Sequence, residues 1–144
     1  MHDLIRFETE LWDAVDARLR ADVELPLSWF EPMTIIGQSE ACRVNDIAEA
    51  LSITVGGTSK LVDRIEAAGL CMRQPNPEDR RSSLISLTPV GEQRLSLAVA
   101  ALDDELAGWF NLPDSTLDRL HGTLRRLRSN AGVRRHRDDQ ELTT

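Results

Sequence analysis

Tyrosine is missing from this chain of 144 residues, and lysine occurs once, as Lys60. Aromatic residues make up only 4%, so Leu, Ile, Val and Ala must build the core that a 41% hydrophobic fraction permits. No apolar run approaches the roughly 18 residues of a membrane-spanning helix, so no membrane partner is expected. The first twenty residues carry Asp3, Glu8, Glu10, Asp13 and Asp16, unlike a secretory signal, and a cytoplasmic location is expected. Two cysteines, Cys42 and Cys71, are too few for a disulfide framework and are read as buried thiols. His2, His121 and His136 are scattered and give no metal-ligand spacing, so neither metal nor cofactor is expected. Glycine-rich phosphate loops and Gly-x-Ser-x-Gly elbows are also missing. The pairs Asp103-Asp104 and Asp138-Asp139 fit a helix surface and a polar tail, so no enzyme is expected.

The net charge of −7 is unevenly spread. Residues 1–40 hold three Arg against nine Asp or Glu, a net −6, which leaves −1 for residues 41–144. The negative excess therefore sits in the N-terminal arm, and the rest is close to neutral. A nucleic-acid partner, if there is one, must be met by a small and geometrically focused set of cations.

Apolar periodicity predicts a mainly helical chain around one β-hairpin. Leu4, Phe7, Leu11, Val15 and Leu19 recur at three and four, which predicts an amphipathic helix over 3–22. Ser28-Trp29-Phe30-Glu31 has the form of a capping box opening a second helix that ends near Gly37, with Pro32 at its fourth position. A short helix over 45–51 is expected, capped by Asn45. Thr54 caps the next helix, which runs to Ala68 and stops at Gly69. Two short strands, 70–73 and 84–87, flank a 74–83 loop. Thr88-Pro89 opens a long helix to Trp109-Phe110, and a last helix begins at Asp114-Ser115 and ends near Asn130.

Helix, turn, helix and hairpin make a winged helix-turn-helix. The chain divides into N-terminal helices (1–37), a winged core (38–90), C-terminal helices (91–130) and a polar tail (131–144). Arg80 and Arg81 at the hairpin tip form a finger suited to DNA. Leu4, Phe7 and Leu11 at one end, and Trp109, Phe110, Leu117, Leu120 and Leu124 at the other, form apolar stripes. Packing on the winged core is one way to bury them; crossing with the same helices of a second copy is the other, and the homodimer expected from it sets two reading helices about one DNA turn apart on a pseudo-palindromic site of double-stranded DNA.

Three segments carry a resemblance. They are Asp46-Ile47-Ala48-Glu49-Ala50-Leu51, then 59–70 (SKLVDRIEAAGL), then Asp79-x-Arg81-x-x-x-Ile85-x-Leu87-Thr88-x-x-Gly91. Together, over about residues 40–95, the chain resembles the multiple-antibiotic-resistance regulator (MarR) family. The resemblance implies a homodimeric, ligand-responsive transcription factor, most often a repressor. It implies a reading helix, about 54–68, in the major groove and a wing arginine in the minor groove.

Carried onto this sequence, the DNA-binding candidates are Thr54, Gly56, Gly57, Ser59, Lys60, Arg64, Arg73, Arg80 and Arg81, with Arg73 and also Arg43 as weaker phosphate candidates. Asp79 is expected to support the wing, and the spacing leaves open which of Arg80 and Arg81 enters the groove. Gly56 and Gly57 either let the backbone approach phosphate or relieve packing against the preceding helix. The family's small, often aromatic, anionic effectors imply a pocket, for which Trp12, Arg18, Trp29, Phe30 and Met33 are the candidates. The sensor cysteine of the peroxide-sensing branch, near the start of the first helix, has no counterpart here. The alternative reading is a winged-helix module that binds a protein partner and does not bind DNA.

Overall fold

The computed structural model describes the backbone of residues 1–141 and the side chains of residues 1–130. The order is α1 (His2–Val23), α2 (Leu27–Gly37), α3 (Val44–Leu51), α4 (Val55–Ala67), β1 (Cys71–Pro75), β2 (Ser83–Leu87), α5 (Pro89–Trp109) and α6 (Asp114–Glu141). The chain forms two compact units, Met1–Ala107 and Gly108 onward. Among the described residues no helix is long and apolar enough to cross a membrane.

Helix α1 buries Val15, Leu19 and Val23, spaced four apart on one face of its second half, while Leu4 and Ile5 in its first turns stay exposed. It closes on Glu24 in the left-handed region (φ 52°), and Arg94 Nη1 donates to the Val23 carbonyl at 2.8 Å. Helix α2 departs from the expected start. The Ser28 box does not form; Pro26 holds the cap position, and the Leu27 amide donates to Asp16 Oδ1 at 2.7 Å. Pro32 therefore lies well inside the helix, buried, where its missing N–H leaves the turn before it short of one bond.

Helix α3 starts one residue earlier than expected and is not capped by Asn45. The Arg43 amide donates to Asp46 Oδ2 at 2.8 Å, so the carboxylate at the third helical position closes the turn. Thr54 does cap α4, its hydroxyl accepting from the Gly57 amide at 3.1 Å. α4 ends as expected at Gly69 (φ +75°), with Gly69 N donating to Glu66 O at 2.8 Å and Leu70 N to Ile65 O at 3.1 Å.

The strands pair antiparallel, from Cys71 opposite Leu87 to Pro75 opposite Ser83, so the wing proper is shorter than 74–83. Cys42 adds a bridge on the far side: Ile85 N donates to Cys42 O at 2.7 Å. The core joins Leu19, Leu25, Met33, Ile36, Ile47, Val62, Ile65 and Ile85. Helix α6 continues to Glu141, past the point near Asn130 where a polar tail was expected.

The Leu87-Thr88-x-x-Gly91 motif has a clear physical basis. The Thr88 hydroxyl donates to Gly69 O at 2.6 Å and accepts from Gly91 N at 3.0 Å. A Cβ on Gly91 would lie 1.9 Å from the Leu70 carbonyl oxygen. One threonine thus joins the end of α4 to the start of α5, and the glycine permits their contact.

Candidate nucleic-acid interface

Helix α4 buries Thr58, Val62 and Ile65 and turns Gly56, Lys60, Asp63 and Arg64 outward. Thr58 is satisfied inside, its hydroxyl donating to Thr54 O at 2.9 Å. The two glycines part company here. A Cβ on Gly57 would stand 3.0 Å from Thr54 Oγ1, so this glycine makes room for the cap. A Cβ on Gly56 would meet nothing within 4 Å. Neither glycine relieves packing against the preceding helix. Ser59 is half-buried, and Lys60 and Arg64 are exposed one turn apart.

The wing tip is built by short side-chain-to-backbone bonds. Asn76, 8% exposed, donates from Nδ2 to Ser82 Oγ at 2.9 Å and accepts the Glu78 amide at 3.0 Å. Asp79 Oδ1 accepts the Arg81 amide at 2.9 Å, so Asp79 supports the wing through backbone. Arg80 and Arg81 are both exposed. Asn76 was not among the sequence candidates, although its place after Pro75 in a turn-forming run was visible.

Arg73 is held differently from the other candidates. Its Nη1 lies 2.7 Å from Asp63 Oδ1 and 2.7 Å from Glu66 Oε2, and its amide donates to Glu66 Oε1 at 3.0 Å. Burial alone would lower its pKa; the bonds to Asp63 and Glu66 raise it instead. This phosphate candidate also clamps β1 to α4. Arg43 is likewise engaged, its Nε 3.3 Å from Asp46 Oδ2, and the hydrogen bond and charge of Asp46 raise its pKa. A cleft of about 520 Å³ opens between the start of α3, α4 and the wing, with Arg43, Ser59, Arg73 and Arg81 on its walls.

The effector-pocket candidates, all in the first unit, differ in burial and in partners. Met33 is fully buried core, and Trp29 and Phe30 pack half-buried against that core. Trp12 is 48% exposed. Arg18 pairs with Asp22 and reaches Asp104 (3.4 Å) and Glu105 (3.6 Å). The cavities beside the wing, at the end of α1 and on α6 have none of these five residues in their walls.

Leu11 is half-buried against the core, and Leu4 and Phe7 are exposed. In the C-terminal unit Trp109, Phe110 and Leu117 are half-buried, whereas Leu120, Leu124 and Leu127 are exposed. Both thiols are buried. Burial, with the charge of Asp46 for Cys42 and of Glu66 for Cys71, pushes each pKa up to about 11.

A helix-turn-helix followed by an ordered, arginine-tipped hairpin defines a winged helix-turn-helix protein. Residues 25–83 match the model of the MarR family, and this winged core is a MarR-family domain. It is 30% identical over 70 residues to an uncharacterized HTH-type transcriptional regulator, YfiV, of Bacillus subtilis, a match spanning 49% of this chain and 42% of that protein. This chain thus spans less than half the length of that relative. Among solved structures, the MepR–DNA complex of S. aureus superposes with a TM-score of 0.81 at 20% identity, covering 90% of this chain and 96% of MepR, and supports the fold. The transcriptional repressor CouR on a 23-mer DNA duplex gives 0.77 at 25% identity, covering 87% and 89%. CouR from Rhodococcus jostii RHA1 bound to p-coumaroyl-CoA gives 0.73 at 25% identity, covering 86% and 87%.

Proposed function

We propose that this protein is a transcriptional regulator that binds double-stranded DNA as a homodimer. The outer face of α4 enters the major groove and the wing tip follows the minor groove. The observation that carries this reading is the arrangement of free cations. Lys60 and Arg64 share the exposed face of α4, and Arg80 and Arg81 stand on a turn ordered by Asn76 and Asp79. An ordered wing loses less conformational freedom on binding than a loose loop does.

Exposed Leu4 and Ile5 in the first unit and Leu120, Leu124 and Leu127 in the second support the dimer, since a second copy can cover such surfaces. Relief by a small-molecule effector, and repression as the sign of regulation, are supported by CouR, which has been solved both on DNA and with an acyl-CoA. The test is selection of bound duplexes from random DNA followed by a salt titration. A steep loss of affinity with rising salt is expected, and no salt-sensitive binding at low salt overturns the reading.

One observation favours a protein partner instead. The chain is acidic overall, and two of its candidate cations, Arg43 and Arg73, already hold carboxylates. The salt titration separates the two readings.

A further inference from the structure

The first turn of α4 is where a reading helix meets base edges. Some of its polar groups are tied up in the fold. The Thr54 hydroxyl accepts from Gly57, where a Cβ would crowd it, and Thr58 is buried and bonded to Thr54. Beside the exposed Thr54, the outward positions are apolar or empty. Val55 is 51% exposed, Ile53 on the other side of the cap is 44% exposed, and Gly56 has open space where a side chain would stand.

Gly56 is unexplained by the fold itself. It has no neighbour to clash with and no left-handed backbone to accommodate, yet glycine is the poorest helix former after proline. A vacancy beside an exposed isopropyl group suits an apolar projection from a partner. In the major groove every base presents hydrogen-bonding groups, which lose water without return against such a surface. Thymine alone adds a methyl group that such a surface can cover with gain. We propose that Val55 and Gly56 together read a thymine 5-methyl group, Val55 supplying the contact and Gly56 the space, with Lys60 one turn further along α4. This rests on the DNA-binding reading above.

The experiment replaces each thymine of a selected duplex by deoxyuridine, which removes only the methyl. One position in each half-site is expected to weaken binding about fourfold, the equivalent of one buried methyl. Val55→Ala, at an exposed site, should bind the thymine and uracil duplexes alike. Gly56→Ala should raise the melting temperature and weaken binding to the thymine duplex. Two results each overturn the proposal while leaving DNA binding in place: uniform tolerance of deoxyuridine by the wild-type protein, or undiminished affinity in Gly56→Ala. Failure to bind any duplex in a salt-sensitive way overturns the DNA reading and this proposal with it.

Discussion

The wing arginines and the buried thiols show how local surroundings decide what a side chain can do. Arg43, Arg73, Arg80 and Arg81 are chemically identical, but the first two spend their charge on carboxylates and the last two stand exposed. Arg81, fixed through its own amide by Asp79, is the residue on which binding should depend most. Arg81→Ala should weaken DNA binding about tenfold or more and leave the oligomeric state unchanged, as read by anisotropy and sedimentation. Unchanged affinity would remove Arg81 from the interface.

The thiols give a second prediction at the same scale. Both pKa values lie near 11 in the fold, above that of an exposed thiol, so the native state holds its thiol protons more tightly than the unfolded chain does. Their contribution to stability is present at neutral pH and is lost as pH rises from the ordinary thiol value through about 11. A thiol-reactive dye at pH 8 should therefore label the native protein far more slowly than the denatured one. Equal rates would contradict the burial.

At the scale of elements, the α4–turn–β1 and β2–α5 junctions hold the reading helix and the wing in register. Thr88 joins them, and Gly91 sits where any side chain would strike the Leu70 carbonyl. Gly91→Ala should cost about 2 kcal/mol or more, read by urea denaturation, because backbone and not a flexible side chain must move. A neutral substitution would mean that α5 can lift away freely.

These junctions were legible in the sequence because their signals are local. Thr54 before a helical run, Gly69 after it, and Thr88-Pro89 each act within a turn or two of their own position. The Asp79–Arg81 turn was legible for the same reason. Arg73 was not, because its partners Asp63 and Glu66 lie a turn apart on α4 and meet β1 only once the chain has folded back. The Cys42–Ile85 bridge is likewise a long-range pairing, and no strand pattern around Cys42 announces it. Met33 shows the limit of periodicity: spacing tells that it faces inward, and only the fold shows it to be fully buried core.

For the whole molecule, charge and apolar surface point the same way. The net −7 is concentrated in the first forty residues, leaving the winged core near neutrality. A single wing offers few cations, and the proposed dimer would bring two such sets to one duplex. Leu124, 42% exposed on α6, belongs to the surface assigned to the second copy. Leu124→Asp should shift the protein to monomer in sedimentation and weaken DNA binding with it. A dimer that survives this charge would place the interface elsewhere.

The central claim is that a few wing and helix cations on each of two copies carry the DNA contact. Its most direct test is the slope of log affinity against log salt on a selected duplex. Four basic side chains per copy, Lys60, Arg64, Arg80 and Arg81, set a ceiling of about −7 for a dimer. A slope between roughly −4 and −7 that becomes shallower by about 2 in Arg81→Ala is the predicted result. A slope near zero, or one that Arg81→Ala leaves untouched, would contradict the account.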